Sequence, residues 1–413
     1  MKKTEIRSIV EKNIEDVKII DIHTHLFPAG FGKLALWGPD ELITYHYLVA
    51  EAIRATHIGY NDFWSMCKTE QADFIFKSLF LDRTPLSEAC RGVLTTFSEL
   101  GIDITTLDLN SFRDYFKNYT VDKYINKVFE ISGVEKVVMT NDPFDNTEKT
   151  YWDNELGKDS RFISSIRLDT LLNDYQTARY ELIKMGYNVG RSLNGIAKSE
   201  IKRFLREKII QSNAVYMAVS LPPDFFMPSN SIRAILIEEC VIPIAREMNK
   251  PIALMIGAKR GVNPDLYLAG DSLGNGSVES VEYLCRKYQK TKFMVTMLSR
   301  ENQHELCVTA RKFNNLYLFG CWWFLNTPLF IEEITRMRFE LLGTTFMPQH
   351  SDARILDQLI YKWKHSKKII SKVLIDKYED LYDTGWPLNE MNIEKDIQNL
   401  FGESFTEFLR FEL

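Results

Sequence analysis

Histidine is scarce in this chain, with seven in 413 residues. The six cysteines (Cys67, Cys90, Cys240, Cys285, Cys307 and Cys321) are scattered and form no Cys-x-x-Cys pair. That spacing excludes a disulfide framework and a thiolate zinc cluster. Several of them fall in apolar helix or strand patterns and none stands beside an evident base. They read as reduced, mostly buried thiols of a cytoplasmic protein rather than as nucleophiles. No apolar run approaches the roughly 20 residues that a membrane-spanning helix needs. The opening stretch, MKKTEIRSIVEKNIEDV, carries two lysines but no apolar core, so no secretory signal is expected there. A basic excess is missing as well: 51 Lys and Arg stand against 56 Asp and Glu, a net charge of −5. With no basic run either, neither nucleic acid nor a membrane surface is an expected partner. A soluble enzyme acting on a small molecule remains, with self-association left open.

What the chain does have is alternation. Short apolar or β-branched runs recur at Val134–Thr140, Phe162–Leu168, Val215–Leu221, Pro251–Gly257, Lys292–Met297, Leu316–Gly320 and Thr344–Met347, after a first one that ends at Asp21-Ile-His-Thr-His25. Segments of helical period separate most of them, such as Leu171–Met185, Glu200–Ile210, Ile232–Met248, Val278–Tyr288 and Gln303–Phe313. The runs are apolar nearly throughout, as parallel strands covered on both faces are. Eight such units predict an α/β protein, a (β/α)8 TIM-type barrel, with an open doubly wound sheet as the weaker option. Residues 38–130 are helical without a convincing strand and read as an insertion after the first strand. Asp40 is the expected N-cap of a helix through Arg54. Residues 355–413 read as a charged helical C-terminal extension packed outside the barrel. The whole is expected to form one domain, 1–413.

Barrel chemistry gathers at the C-terminal ends of the strands. Here those ends carry His23 and His25, Thr140-Asn-Asp142, Arg167-Leu-Asp169, Ser220-Leu-Pro222, Met255-Ile-Gly-Ala-Lys259, Ser299-Arg-Glu-Asn302, Gly320-Cys-Trp-Trp323 and His350-Ser-Asp-Ala-Arg354. Residues two apart on a strand share a face, so His23 and His25 converge. Two imidazoles suit a divalent metal, yet half-buried strand ends also carry histidines bonded to backbone or carboxylates, and spacing alone leaves both open. Barrel closure brings Asp352, at the last strand, beside the pair.

These strand ends, together with Thr44-Tyr-His-Tyr47, Met139-Thr-Asn-Asp-Pro-Phe144, Leu298-Ser-Arg-Glu-Asn302, Cys321-Trp-Trp-Phe324 and Ser351-Asp-Ala-Arg354, resemble the uronate isomerase (glucuronate isomerase) family of the amidohydrolase superfamily, across essentially the whole chain. The resemblance implies interconversion of hexuronate aldoses and ketoses through a cis-enediol. It implies His23, His25 and Asp352 as ligands of Zn2+ or another divalent cation, and Asp352 also as general base. Tyr47, with its pKa depressed by nearby cations, is the candidate for proton transfer at C2, and His46 for polarising a substrate hydroxyl. Arg167 is the candidate for the sugar carboxylate and Arg354 for the enediolate, with Arg300, Trp322 and Trp323 as further substrate contacts. His350 is expected beside the ligands rather than among them.

The chain departs from the family pattern in two places. Met255 stands in Leu254-Met-Ile-Gly257 where a family histidine offers a further metal contact, and Ser351-Asp-Ala-Arg354 replaces a more usual Thr-Asp-Ser-Arg. A divergent bacterial branch, with a loosely held or dispensable metal, is the expectation. Two alternatives remain: a metal-dependent hydrolase of the same superfamily, and a barrel that binds acidic sugars without turning them over. The first is weakened by the lack of histidines at the fifth and sixth strand ends.

Overall fold

The structure, a computed structural model, describes residues 2–153 and 159–411. Its centre is a curled parallel sheet in the order β1 (Ile19–Thr24), β2 (Val134–Asn141), β3 (Phe162–Arg167), β4 (Met217–Leu221), β5 (Ile252–Ile256), β6 (Phe293–Met297) and β7 (Leu316–Leu318). Every residue of β5 and β6 is buried, which is why these runs carry no polar alternation. The strand expected at Thr344–Met347 is reduced to a single parallel bridge, Phe319 to Met347. Pro348 has no N–H to continue the ladder. Closure comes one turn later, where His25 N donates to Ala353 O at 2.7 Å and Asp352 N to His23 O at 3.1 Å. The (β/α)8 barrel is therefore sewn shut at its C-terminal rim, by the same residues that carry the candidate chemistry.

Helices cover the sheet between strands, for example Gly195–Ser212 before β4 and Val278–Lys287 before β6. The segment between β1 and β2 is helical, and its aromatic side chains, among them Phe63, Phe97, Phe112 and Tyr124, are fully buried. One carboxylate ties this segment to the chain beyond the last strand. Asp357 accepts from Tyr124 Oη at 2.7 Å and from Gly38 N at 2.8 Å.

The helix expected to run from Asp40 to Arg54 is in fact two, Pro39–Ile43 and His46–Thr56. Thr44 Oγ1 and Thr44 N both bond back to Asp40 O, at 2.6 and 3.0 Å, and Tyr45 is extended at the break. Asp40 is not the cap; its carboxylate pairs with Arg113 at 2.8 Å. The C-terminal part does more than cover the outside. Phe405 packs edge-on toward Tyr216 of the barrel interior, and Ser404 bonds Tyr317 at 2.7 Å. Among the described residues no helix is long and apolar enough to cross a membrane.

Candidate active site

Three side chains meet where the barrel closes. Asp352 Oδ1 lies 3.3 Å from His25 Nε2 and 3.7 Å from His23 Nε2. Among the described residues this is the one cluster of His, Cys, Asp and Glu compact enough to hold an ion, its ligand atoms all within 4.8 Å of one another.

The hydrogen bonds behind the rings decide what the cluster can bind. Thr140 Oγ1 donates to Thr24 O at 2.9 Å and lies 2.8 Å from His25 Nδ1, so the ring nitrogen is the donor in that second contact. Tyr216 Oη repeats the arrangement, donating to Ile22 O at 2.8 Å while standing 3.3 Å from His23 Nδ1. Both rings thus carry their proton on Nδ1 and turn a bare Nε2 lone pair toward a carboxylate. Burial pushes both imidazoles down to about 3, so they are neutral near pH 7. Burial alone would raise the Asp352 carboxyl, but its surroundings, the Lys362 cation among them, outweigh burial and hold the acid well below its usual range. Three acceptors facing one another repel unless a cation sits among them. The N2O donor set fits a divalent metal, zinc included.

Asp352 holds this position at φ 51°, in the left-handed region, a conformation that costs a residue other than glycine about 1–3 kcal/mol and clusters at functional sites. Behind it, Asp21 accepts from Ser351 N at 3.1 Å and Trp363 Nε1 at 2.8 Å. Lys362 Nζ, itself buried, donates to Ser351 O. Gly320 has no room for a side chain, because a Cβ there would stand 1.7 Å from His350 Nδ1.

The cluster opens into a cavity bordered by Tyr45, His46, Arg167, Trp322, Trp323 and Arg354 among others. Arg167 is held on one edge by Asp169 Oδ1 at 3.1 Å, and Asp169 Oδ2 in turn accepts from Ser220 N at 3.2 Å. Arg354 makes no ion pair among the described residues. His46 Nε2, Tyr47 Oη and Trp323 Nε1 are buried without a hydrogen-bond partner among the described residues.

Compared with solved structures, the chain matches a uronate isomerase from Bacillus halodurans C-125 with a TM-score of 0.98 and 49% sequence identity, over 100% of this chain and 98% of that one. The chain belongs to the uronate isomerase family. A uronate isomerase from Thermotoga maritima (17% identity, TM-score 0.79, 98% of this chain and 97% of that one) has the same fold. So has a glucuronate isomerase from Caulobacter crescentus (14% identity, TM-score 0.78, 99% of this chain and 94% of that one). No protein-family model matches the chain, and no curated protein matches its sequence.

Within this uronate isomerase fold, most of the expected residues come together, and two expectations change. Arg300 is turned away: its Nε lies 3.0 and 3.2 Å from the two carboxylate oxygens of Glu333 at the half-exposed surface, and it does not border the cavity. The cause is local, since Ser299 caps a helical turn, Arg300–Asn302, that projects the side chain outward. Tyr47 lies against His46, ring centroids 4.4 Å apart, rather than on the cavity wall, which Tyr45 and His46 form. Burial raises the Tyr47 phenol well above its usual pKa instead of the cations depressing it. It is a neutral hydroxyl, not a phenolate.

Met255 borders the cavity with a thioether, so the uronate isomerase site keeps two imidazoles and one carboxylate. Reading the sequence missed Tyr45, Thr140, Arg260 and Lys362. Thr140 was visible as a polar strand end, and Tyr45 lay within the Thr44–Tyr47 tetrapeptide. Nothing in the sequence distinguished Lys362 from the other lysines of its charged helix.

Proposed function

We propose that this protein interconverts hexuronate aldoses and ketoses, D-glucuronate with D-fructuronate and D-galacturonate with D-tagaturonate, through a cis-enediol in cytoplasmic hexuronate catabolism. One observation carries the reading beyond family membership: an ionised Asp352 and two neutral imidazoles line one cavity with the guanidinium groups of Arg167 and Arg354.

Each chemical demand has a residue. Arg167, steadied by Asp169, offers a guanidinium edge that matches the sugar carboxylate in two-point fashion. Asp352 takes the proton of the anomeric hydroxyl and returns it to the ring oxygen as the C1–O5 bond breaks; the freed carboxylate then takes the proton from C2 and delivers it to C1, while the O2 proton passes to O1. Arg354, with no carboxylate paired to it among the described residues, neutralises the charge that develops on the enediolate oxygens. His46, on the cavity wall, serves with its unpartnered Nε2 as a neutral hydrogen-bonding group to a substrate hydroxyl, and Tyr47 packs behind it. Trp322 and Trp323 supply an apolar wall for the carbon chain.

His23, His25 and Asp352 would hold a divalent cation, Zn2+ by preference, and when bound it would polarise a coordinated sugar oxygen. Two neutral ligands and one anion bind it less firmly than a site with a third imidazole. A hydrolase of the same superfamily is disfavoured, because the fifth strand end presents Met255 where a further ligand would be needed.

The decisive assay incubates the enzyme with D-glucuronate and D-galacturonate and follows the keto-uronates. Ketose from either sugar is the expected result. Absence of ketose from both, with tight binding of either, would instead mark a non-catalytic acidic-sugar barrel.

A further inference from the structure

A third arginine borders the same cavity, and it comes from no strand end. Arg260 sits in a short hairpin after β5, Ala258–Lys259 paired with Ser272–Leu273. Its Nη1 lies 2.5 Å from Asp271 Oδ2, and Asp271 Oδ1 accepts from Gly261 N at 2.8 Å. One carboxylate therefore fixes both the guanidinium and the hairpin backbone. The Arg260 guanidinium also lies over the Trp323 ring, 5.2 Å from its centroid, within the range of a cation–π contact. Asp271 itself borders the cavity and is almost fully covered, with its side chain 7% exposed.

Position in the barrel says what this pair can touch. The metal ligands come from β1 and the closing segment, and Arg167 from β3. β5 stands on the opposite side of an eight-membered ring from β1. If the reacting C1–C2 end meets Asp352 and the carboxylate meets Arg167, the middle carbons face the remaining wall, formed by Met255, Arg260 and Trp323. D-Glucuronate and D-galacturonate differ there, in the hand of C4. A guanidinium only donates and an ionised carboxylate only accepts, so Arg260 and Asp271 side by side can satisfy both functions of one hydroxyl. The two C4 epimers present that hydroxyl on opposite sides, and only one hand can meet both groups.

We infer that Arg260, held by Asp271, is a specificity-determining residue that reads the C4 hydroxyl of the hexuronate. This rests on the hexuronate reading above. It also explains why a half-exposed arginine is held by a covered carboxylate and braced against an aromatic face at the cavity rim.

The test compares kcat/KM for the two C4 epimers in wild type, Arg260→Met and Asp271→Asn, with thermal melting as a check on folding. Wild type is expected to favour one epimer. Arg260→Met should lower kcat/KM for that epimer by about tenfold or more, the value of one hydrogen bond to a charged group, and for the other by much less. The ratio then moves toward one. Asp271→Asn keeps the guanidinium but loosens it, and should shift the ratio the same way by a smaller factor, so the inference remains testable if Arg260→Met does not fold. A wild type that treats the epimers alike, or variants that lower both values equally, would overturn the assignment while leaving the isomerase reading intact. A wild type inert on both sugars would instead remove the hexuronate reading itself.

Discussion

His25 turns its Nε2 toward Asp352 Oδ1 at 3.3 Å because Thr140, 2.8 Å behind it, receives the Nδ1 proton. The hydroxyl of a residue on the neighbouring strand thus fixes the tautomer that a metal ligand needs. Such outer partners are worth about 10–100-fold in metal affinity. Thr140→Val, which keeps the shape and deletes the hydroxyl, should weaken zinc binding by about that factor. Calorimetric titration of the metal-free protein measures it, and equal affinities would mean that the tautomer is fixed some other way.

Asp352 is the only carboxylate among the three clustered ligands. Asp352→Asn retains its shape but loses both the charge and the proton acceptor, and should cut kcat by about 10²–10⁴-fold or more with the fold intact. Circular dichroism establishes the fold and ketose formation the rate. Substantial residual turnover would take the role of base away from this residue.

The two arginines that both follow a strand make a paired test. Arg167 borders the cavity and Arg300 is committed to Glu333 on the outside. Deleting a two-point charged contact costs about 1.5–3 kcal/mol, so Arg167→Met should raise KM for hexuronates about 10–100-fold. Arg300→Met should leave KM nearly unchanged. If the two variants behave alike, the carboxylate binds elsewhere.

Met255 bears on the metal. With one thioether where another imidazole would stand, removal of the cation should leave measurable isomerase activity, because Asp352 and the arginines remain in place. Dialysis against a chelator, followed by assay and zinc readdition, decides the matter. Complete loss that zinc fully restores would contradict it.

The parts legible in the sequence were those with a period. The runs at Val134–Thr140, Phe162–Leu168 and Lys292–Met297 each match a strand to within one or two residues, since strands buried on both faces need continuous apolar residues. His23, His25 and Asp352 followed from strand period and barrel closure together. Illegible were the features that depend on which way a turn points. Arg300 follows a strand as Arg167 does, yet a Ser299-capped helical turn carries it outward. The break between Ile43 and His46, where Tyr45 turns extended, interrupts a good helical pattern, and Tyr45 and His46 both border the cavity. Long-range anchors such as Lys362 beneath Ser351, or Asp357 beneath Gly38, have no local signature at all.

Asp357 gives a pH-dependent test of one such anchor. Burial pushes its carboxyl up to about 6, against the bonds from Tyr124 and Gly38 that lower it. A folded pKa above the unfolded one means that the native state binds the proton more tightly. The associated stability is fully present below about pH 4 and is lost as pH rises through about 6. Two pKa steps correspond to about 3 kcal/mol. Asn at this position can accept from Gly38 N and meet Tyr124 Oη without a charge to bury. Asp357→Asn should therefore gain on wild type between pH 4 and 6 and keep that gain at pH 7. Urea unfolding of both proteins across this range measures the difference. A constant gap at every pH would show that Asp357 is ionised throughout, its burial cost already met by the two hydrogen bonds from Gly38 and Tyr124.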